Sequence, residues 1–167
     1  MPVYARHVKN KSSLPFLLNM DKIKELAYSI KKEDTLPLKK ELLYLYEREA
    51  FEKLIYYRQS MRLDGYIIEI IKRLSTQEEE HSYLLQTILE NAGVSITGHS
   101  KEHMNEIVDE PLDKAIEYDV KEEKISADAY QKAIAKASGN LKKVLEHILQ
   151  EEFGHVGILE KYLEENQ

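Results

Sequence analysis

The sequence predicts an all-α protein: a four-helix bundle made of two copies of one helical hairpin, with a long connection between the second and third helices and a short helix in front. Three observations carry this. Only four prolines and six glycines stand among abundant Leu, Ile, Glu and Lys in the 167 residues, a composition that favours helix. The stretch from Pro37 to Glu90 returns 74 positions later without a gap: Pro37 maps on Pro111, Tyr44 on Tyr118, Glu49 on Glu123, Tyr56 on Tyr130, Gly65 on Gly139, Glu78 on Glu152, His81 on His155 and Leu89 on Leu163. Each copy carries its turn signal at the same place, Asp64-Gly65 and Ser138-Gly139-Asn140.

In chain order, Met1 to Lys11 is polar and without period, and is read as an arm. Ser12-Ser13-Leu14-Pro15 has the hydroxyl caps and early proline of a helix start. Ile23, Leu26, Ala27 and Ile30 then recur at helical spacing, so a short amphipathic helix runs to about Lys32 as a strap on the bundle. The first long helix runs from about Thr35-Leu36-Pro37 to Leu63, and the second from Tyr66 to about Asn91, ended by Gly93. So short a link makes the two antiparallel neighbours. Ala92 to Glu110 is long enough to run the length of the bundle, or to carry the second hairpin to a partner subunit in a swapped dimer. The third helix starts with Asp109 as cap and Pro111 in its first turn and ends near Ala137; the fourth covers Leu141 to about Glu164. Residues 1–36 are thus an arm and short helix, and 37–167 the bundle domain, with hairpins at 37–91 and 111–165.

Composition removes several function classes. There is no cysteine, which excludes disulfides, thiolate metal sites and thiol catalysis. A formal charge of -6 argues against a nucleic-acid surface. No run approaches the roughly 18 apolar residues of a membrane span, and the first residues lack a signal-peptide core. The expected location is the cytoplasm, without a membrane partner.

The repeat selects the chemistry. Glu78-x-x-His81 and Glu152-x-x-His155 each set a carboxylate and an imidazole one helical turn apart on one face. Glu49 lies 16 residues before Gly65, and Glu78 and His81 lie 13 and 16 after it; the second hairpin repeats these intervals around Gly139. At about 1.5 Å per residue these groups reach one height along the bundle. Facing hairpins would bring Glu49, Glu78, His81, Glu123, Glu152 and His155 together in the interior. Four buried carboxylates repel and lose hydration; two divalent cations would cancel their charge, with neutral imidazole adding donors. One Glu from each of two helices with Glu-x-x-His from each of the others is the known dinuclear carboxylate arrangement of helical bundles. The near-miss carboxylates Glu47, Glu79, Glu80, Glu122 and Glu151 are unmatched in the other half, and His7, His99, His103 and His147 lack ligand spacing. The repeat leaves these carboxylates unselected, and the four histidines are read as surface or packing residues.

On these motifs, over about Pro37 to Glu164, the sequence resembles the ferritin-like diiron carboxylate proteins, nearest their rubrerythrin-like branch. The resemblance implies two iron ions joined by an oxo or hydroxo bridge. Glu78 and Glu152 would bridge them, Glu49 and His81 complete one ion, and Glu123 and His155 the other. Mixed carboxylate and imidazole donors also suit manganese or zinc. Tyr56 and Tyr130, seven residues after a ligand on the same face, would hydrogen-bond ligand carboxylates. Glu52, one turn beyond Glu49 and matched by Ser126, would approach the metal partnered by His155 and exchange with it on oxidation. The implied activity is reduction of peroxide or O2 with electrons from an external donor protein, since the chain has no rubredoxin-type cysteines. The alternatives are a ferroxidase for iron storage or buffering, and an oxygenase acting on an organic substrate. A homodimer, with or without hairpin exchange, is the expected assembly.

Overall fold

A computed structural model describes residues 19–62, 64–96 and 110–167. All regular structure among them is helical. Helix α1 (Met20–Ser29) is capped by Asn19, whose side chain accepts a hydrogen bond from the Lys22 amide at 2.9 Å. The start expected at Ser12 to Pro15 lies outside the described residues. The periodic run ends earlier than Lys32, because Ile30 turns extended (ψ 128°) as it enters the core. A short helix α2 (Lys32–Thr35) and a 3-10 turn (Leu36–Leu38) with Pro37 in its opening positions then lead into α3 (Lys39–Ser60). The long helix therefore begins a few residues after Pro37, which belongs to the tighter lead-in turn.

Gly65, at φ +74°, allows the reversal into α4 (Ile67–Asn91). The end of α4 is a Schellman motif. The Gly93 amide donates to Glu90 O at 2.9 Å and the Val94 amide to Leu89 O at 3.0 Å, with Gly93 at φ +74° and Val94 buried. Helix α5 (Leu112–Lys136) follows Pro111; Asp109, expected as its cap, lies outside the described residues, as does 97–108 of the crossover. Helix α6 (Gly139–Glu165) starts directly after Ser138, two residues before the expected Leu141, because Gly139 at φ +57° makes the turn within its own first residue.

The contacts fix the topology. Tyr56 meets Glu123 and Tyr130 meets Glu49, so α3 and α5 run antiparallel. His81 meets Glu151 and His155 meets Gln77, so α4 and α6 do too. Each hairpin is antiparallel within itself, which leaves α4 and α5 parallel. That order of helix directions is the one found in ferritin-like folds. Both hairpins of one chain meet here.

The core falls into two main apolar clusters with a polar layer between them, and a small third group around Ile55. One holds Leu42, Leu45, Leu84, Ile88, Val144 and Ile148, and is covered by Ile23 and Ala27 of α1. The other holds Ile67, Ile71, Leu74, Ile116 and Leu159. No described helix is long and apolar enough to cross a membrane. Ile88 is fully buried, so Ile88→Ala should destabilise the chain by about 2–5 kcal/mol. Urea unfolding measures this, and a loss under ~1 kcal/mol would contradict the packing described.

Candidate metal centre

Each long helix carries its apolar stripe past one polar level. On α4 the buried stripe includes Ile71, Leu74, Glu78, His81 and Leu84; on α6 it includes Leu145, Ile148, Glu152, His155 and Leu159. Helices α3 and α5 add Glu49 and Glu123 at the same level. These six side chains are essentially inaccessible to solvent.

They form two overlapping groups. One donor atom each from Glu49, Glu78, His81 and Glu152 lies within 4.8 Å of the others, and the same holds for Glu78, Glu123, Glu152 and His155. Glu78 and Glu152 belong to both groups. Donors about 2.1 Å from an ion lie no more than about 4.2 Å apart, so each group is close to the size of a coordination shell. His81 Nδ1 faces Glu49 at 3.2 Å, Glu78 at 3.2 Å and Glu152 at 3.0 Å. His155 Nδ1 faces Glu78 at 2.8 Å and Glu123 at 3.3 Å. A single N–H cannot serve so many acceptors. Although Glu78 Oε1 and Glu152 Oε1 approach the imidazoles, neither has a hydrogen bond of good geometry, and Glu152 Oε2 has none either. Oxygens buried without a donor are costly. Together with the converging nitrogens, they fit two cations.

The charges push the ionisations apart. Burial raises Glu78 and Glu152 well above the usual carboxylate range, and the neighbouring Glu49 and Glu123 charges raise them further. Burial also opposes ionisation of Glu49, but the hydrogen bond it shares with Glu78, together with His81 and Tyr130, outweighs it and holds the group down to about 2. Burial would lower both imidazoles; the carboxylates around them reverse this, so His81 lies well above its ordinary value and His155 above its own.

The next layer of contacts links the two hairpins. Tyr56 donates to Glu123 and Tyr130 to Glu49, each tyrosine serving the other half of the chain. On the far side of each imidazole, His81 Nε2 meets Glu151 Oε2 at 2.7 Å, and His155 Nε2 meets Gln77 Oε1 at 3.2 Å. Where α3 meets α5, Arg48 Nη2 donates to Glu122 Oε2 at 2.9 Å and Arg48 Nε donates to Ser126 Oγ at 2.8 Å. Glu52 is buried, with Oε1 accepting from Arg48 and Ser126 at 2.8 Å each and Oε2 unpartnered; it belongs to neither candidate group. Arg48 and Glu122 are repeat mates, as are Glu52 and Ser126, so the two halves touch here through their own equivalents.

Sequence reasoning set Glu122 and Glu151 aside because their mates differ. The signal that would have recovered them is chemical complementarity between mates: Arg48 with Glu122, and Gln77 with Glu151. Asp119, which accepts from Gln59 at 3.0 Å in the core, was also missed; its mate is the apolar Leu45. His147 packs half-buried with Nε2 3.7 Å from Glu151, and His7, His99 and His103 lie outside the described residues.

Among known proteins, a family model described as Rubrerythrin matches residues 41–163, a span containing every residue of the two groups. No curated protein matches the chain.

In the metal-free chain, Glu78, Glu152, His81 and His155 keep protons that the unfolded chain has already released. Their contribution to stability is present at low pH and lost as pH rises through the raised values. Glu49 acts oppositely, but only as pH falls from the usual carboxylate range toward about 2. The melting temperature of the metal-free protein should therefore fall by several degrees between about pH 5 and pH 8. With two Zn²⁺ bound the fall should disappear, and Zn²⁺ uptake near neutral pH should release protons. A flat or rising metal-free profile would contradict this electrostatic account.

Proposed function

Because this chain belongs to the rubrerythrin family, we propose that it is a diiron oxidoreductase that reduces hydrogen peroxide to water with electrons from a separate donor protein. The observation that carries the reading is the pair of buried groups sharing Glu78 and Glu152. In this reading Glu78 and Glu152 would serve both ions, Glu49 and His81 one of them, and Glu123 and His155 the other. Iron rather than manganese or zinc follows from the family. A bound iron pair supplies Lewis acidity and the two electrons that one peroxide consumes.

The protein's part is orientation, exclusion of water and delivery of protons. The apolar clusters on either side of the polar layer keep bulk water away. Tyr130 and Tyr56 orient Glu49 and Glu123 and hold their phenolic protons firmly, burial and the adjoining carboxylates raising both hydroxyls well above their ordinary range. Reduction of one peroxide to two waters takes up two protons. Glu52 is a reserve outside the ligand set: burial and the charges of Glu123 and Glu49 favour its protonated form, with Arg48 acting against them. Held by Arg48 and Ser126, it would be the extra carboxylate that approaches the ion partnered by His155 when the charge of the centre rises. The electron donor lies outside this sequence, which has no cysteine for an iron–sulfur or rubredoxin-type centre. A homodimer is the assembly proposed.

Anaerobic titration with Fe²⁺ should saturate at two ions per chain. A peroxide pulse should then oxidise the loaded protein much faster than an O2 pulse, followed by ultraviolet absorbance. Faster oxidation by O2, or uptake far above two ions, would point instead to a ferroxidase or storage protein. Glu52→Gln should slow the peroxide-dependent step by about 10²-fold, the scale of a lost proton-transfer partner, and Tyr56→Phe with Tyr130→Phe should slow it by about 10–100-fold through looser orientation of Glu49 and Glu123, while Fe²⁺ stoichiometry stays unchanged in both.

A further inference from the structure

The six residues of the centre are identical in type between the two halves, so by themselves they would hold two equivalent ions. The residues behind the imidazoles break that equivalence. Position 77 is Gln and its mate, position 151, is Glu. Each reaches across to the imidazole of the other hairpin: Glu151 to His81 Nε2 at 2.7 Å, Gln77 to His155 Nε2 at 3.2 Å. Both imidazoles present Nδ1 to the carboxylate groups. An imidazole that binds metal through Nδ1 must carry its proton on Nε2, so Nε2–H donates in both cases. His81 donates to a carboxylate, and His155 to a neutral amide at a longer distance.

A charge-assisted hydrogen bond is roughly twice as strong as a neutral one. It draws the Nε2 proton outward and leaves Nδ1 a better electron donor. We propose that Glu151 and Gln77 make the two metal positions inequivalent, so that the one built on Glu49 and His81 binds its divalent ion more tightly and fills first. Glu151 and Gln77 are positioning residues that act through the imidazoles without touching the metal. The other nearby break in symmetry, Glu52 against Ser126, brings its own counter-charge in Arg48. The carboxylate on His81 lies instead 3.7 Å from His147 Nε2, an imidazole whose burial disfavours its charged form. This inference rests on the two-metal reading above.

Co²⁺ titration of the full metal-free chain, followed by its visible absorption, tests both and separates them. The wild type should take up two ions in two resolved steps. Glu151→Gln should weaken the first step by about 10-fold or more, the usual cost of an outer partner of a metal-binding imidazole. Gln77→Glu should tighten the second step. The exchange E151Q/Q77E should restore two resolved steps, with His155 in place of His81 as the ligand at one equivalent. The hyperfine-shifted imidazole N–H resonances identify which ring is bound. If both single variants leave the steps within about twofold of wild type, or if His155 is ligated first in the wild type, the inference fails and the two-metal reading stands. If no Co²⁺ binds, both fail. Glu151→Gln and Gln77→Glu change hardly any volume, and melting of the metal-free proteins reports whether each folds.

Discussion

Four carboxylates and two imidazoles share one dry layer in the middle of the bundle, and that concentration of charge governs the arrangement around it. Such a layer is unfavourable in an apolar interior unless each group has a counter-charge or a hydrogen bond. The side chains alone manage this only in part: His81 and the hydrogen bond from Glu78 favour the Glu49 carboxylate, burial favours the protonated forms of Glu78 and Glu152, and three of their oxygens find no protein donor. Apolar clusters flank the layer on either side and fix the level at which the four long helices bring these groups together.

Duplication explains the geometry of the layer, and divergence explains its chemistry. The ligand-type residues and their tyrosines are the same in both halves, and the contacts they make are related by the same two-fold relation: Tyr56 with Glu123, Tyr130 with Glu49. One step further out the halves differ, and there the chain distinguishes one side of its centre from the other. The strap helix α1 adds to this, packing against α4 and α6 over one cluster and not the other.

The sequence made the hairpins, their turns and the six converging residues legible, because the repeat marks positions where the same demand is met twice. Gly65 and Gly93 could be placed for the same local reason, a left-handed backbone after a helical run. Other features were hidden by the rule that found these. Arg48, Gln77, Glu122 and Glu151 differ from their mates, so a search for identity discards them, although their roles depend on meeting across the halves. The break at Ile30 was invisible because its spacing continues that of Ile23 and Ala27; only the packing of Ile30 against the core shows that the backbone must leave the helix there. Gly139 was read as part of a turn, yet it begins α6, since one left-handed residue suffices where Gly65 is followed by Tyr66 before α4 begins.

The seam between α3 and α5 has a consequence for how this chain can change. Arg48 touches Glu122 and Glu52 touches Ser126, each the counterpart of the other under the repeat. A symmetric pairing of two first halves would set guanidinium against guanidinium and acid against acid; two second halves would oppose Glu122 to itself. A reversion to sameness at Arg48, Glu122 or Ser126 alone would set like charge against like at this seam. The seam therefore acts as a ratchet that holds the two halves as complements.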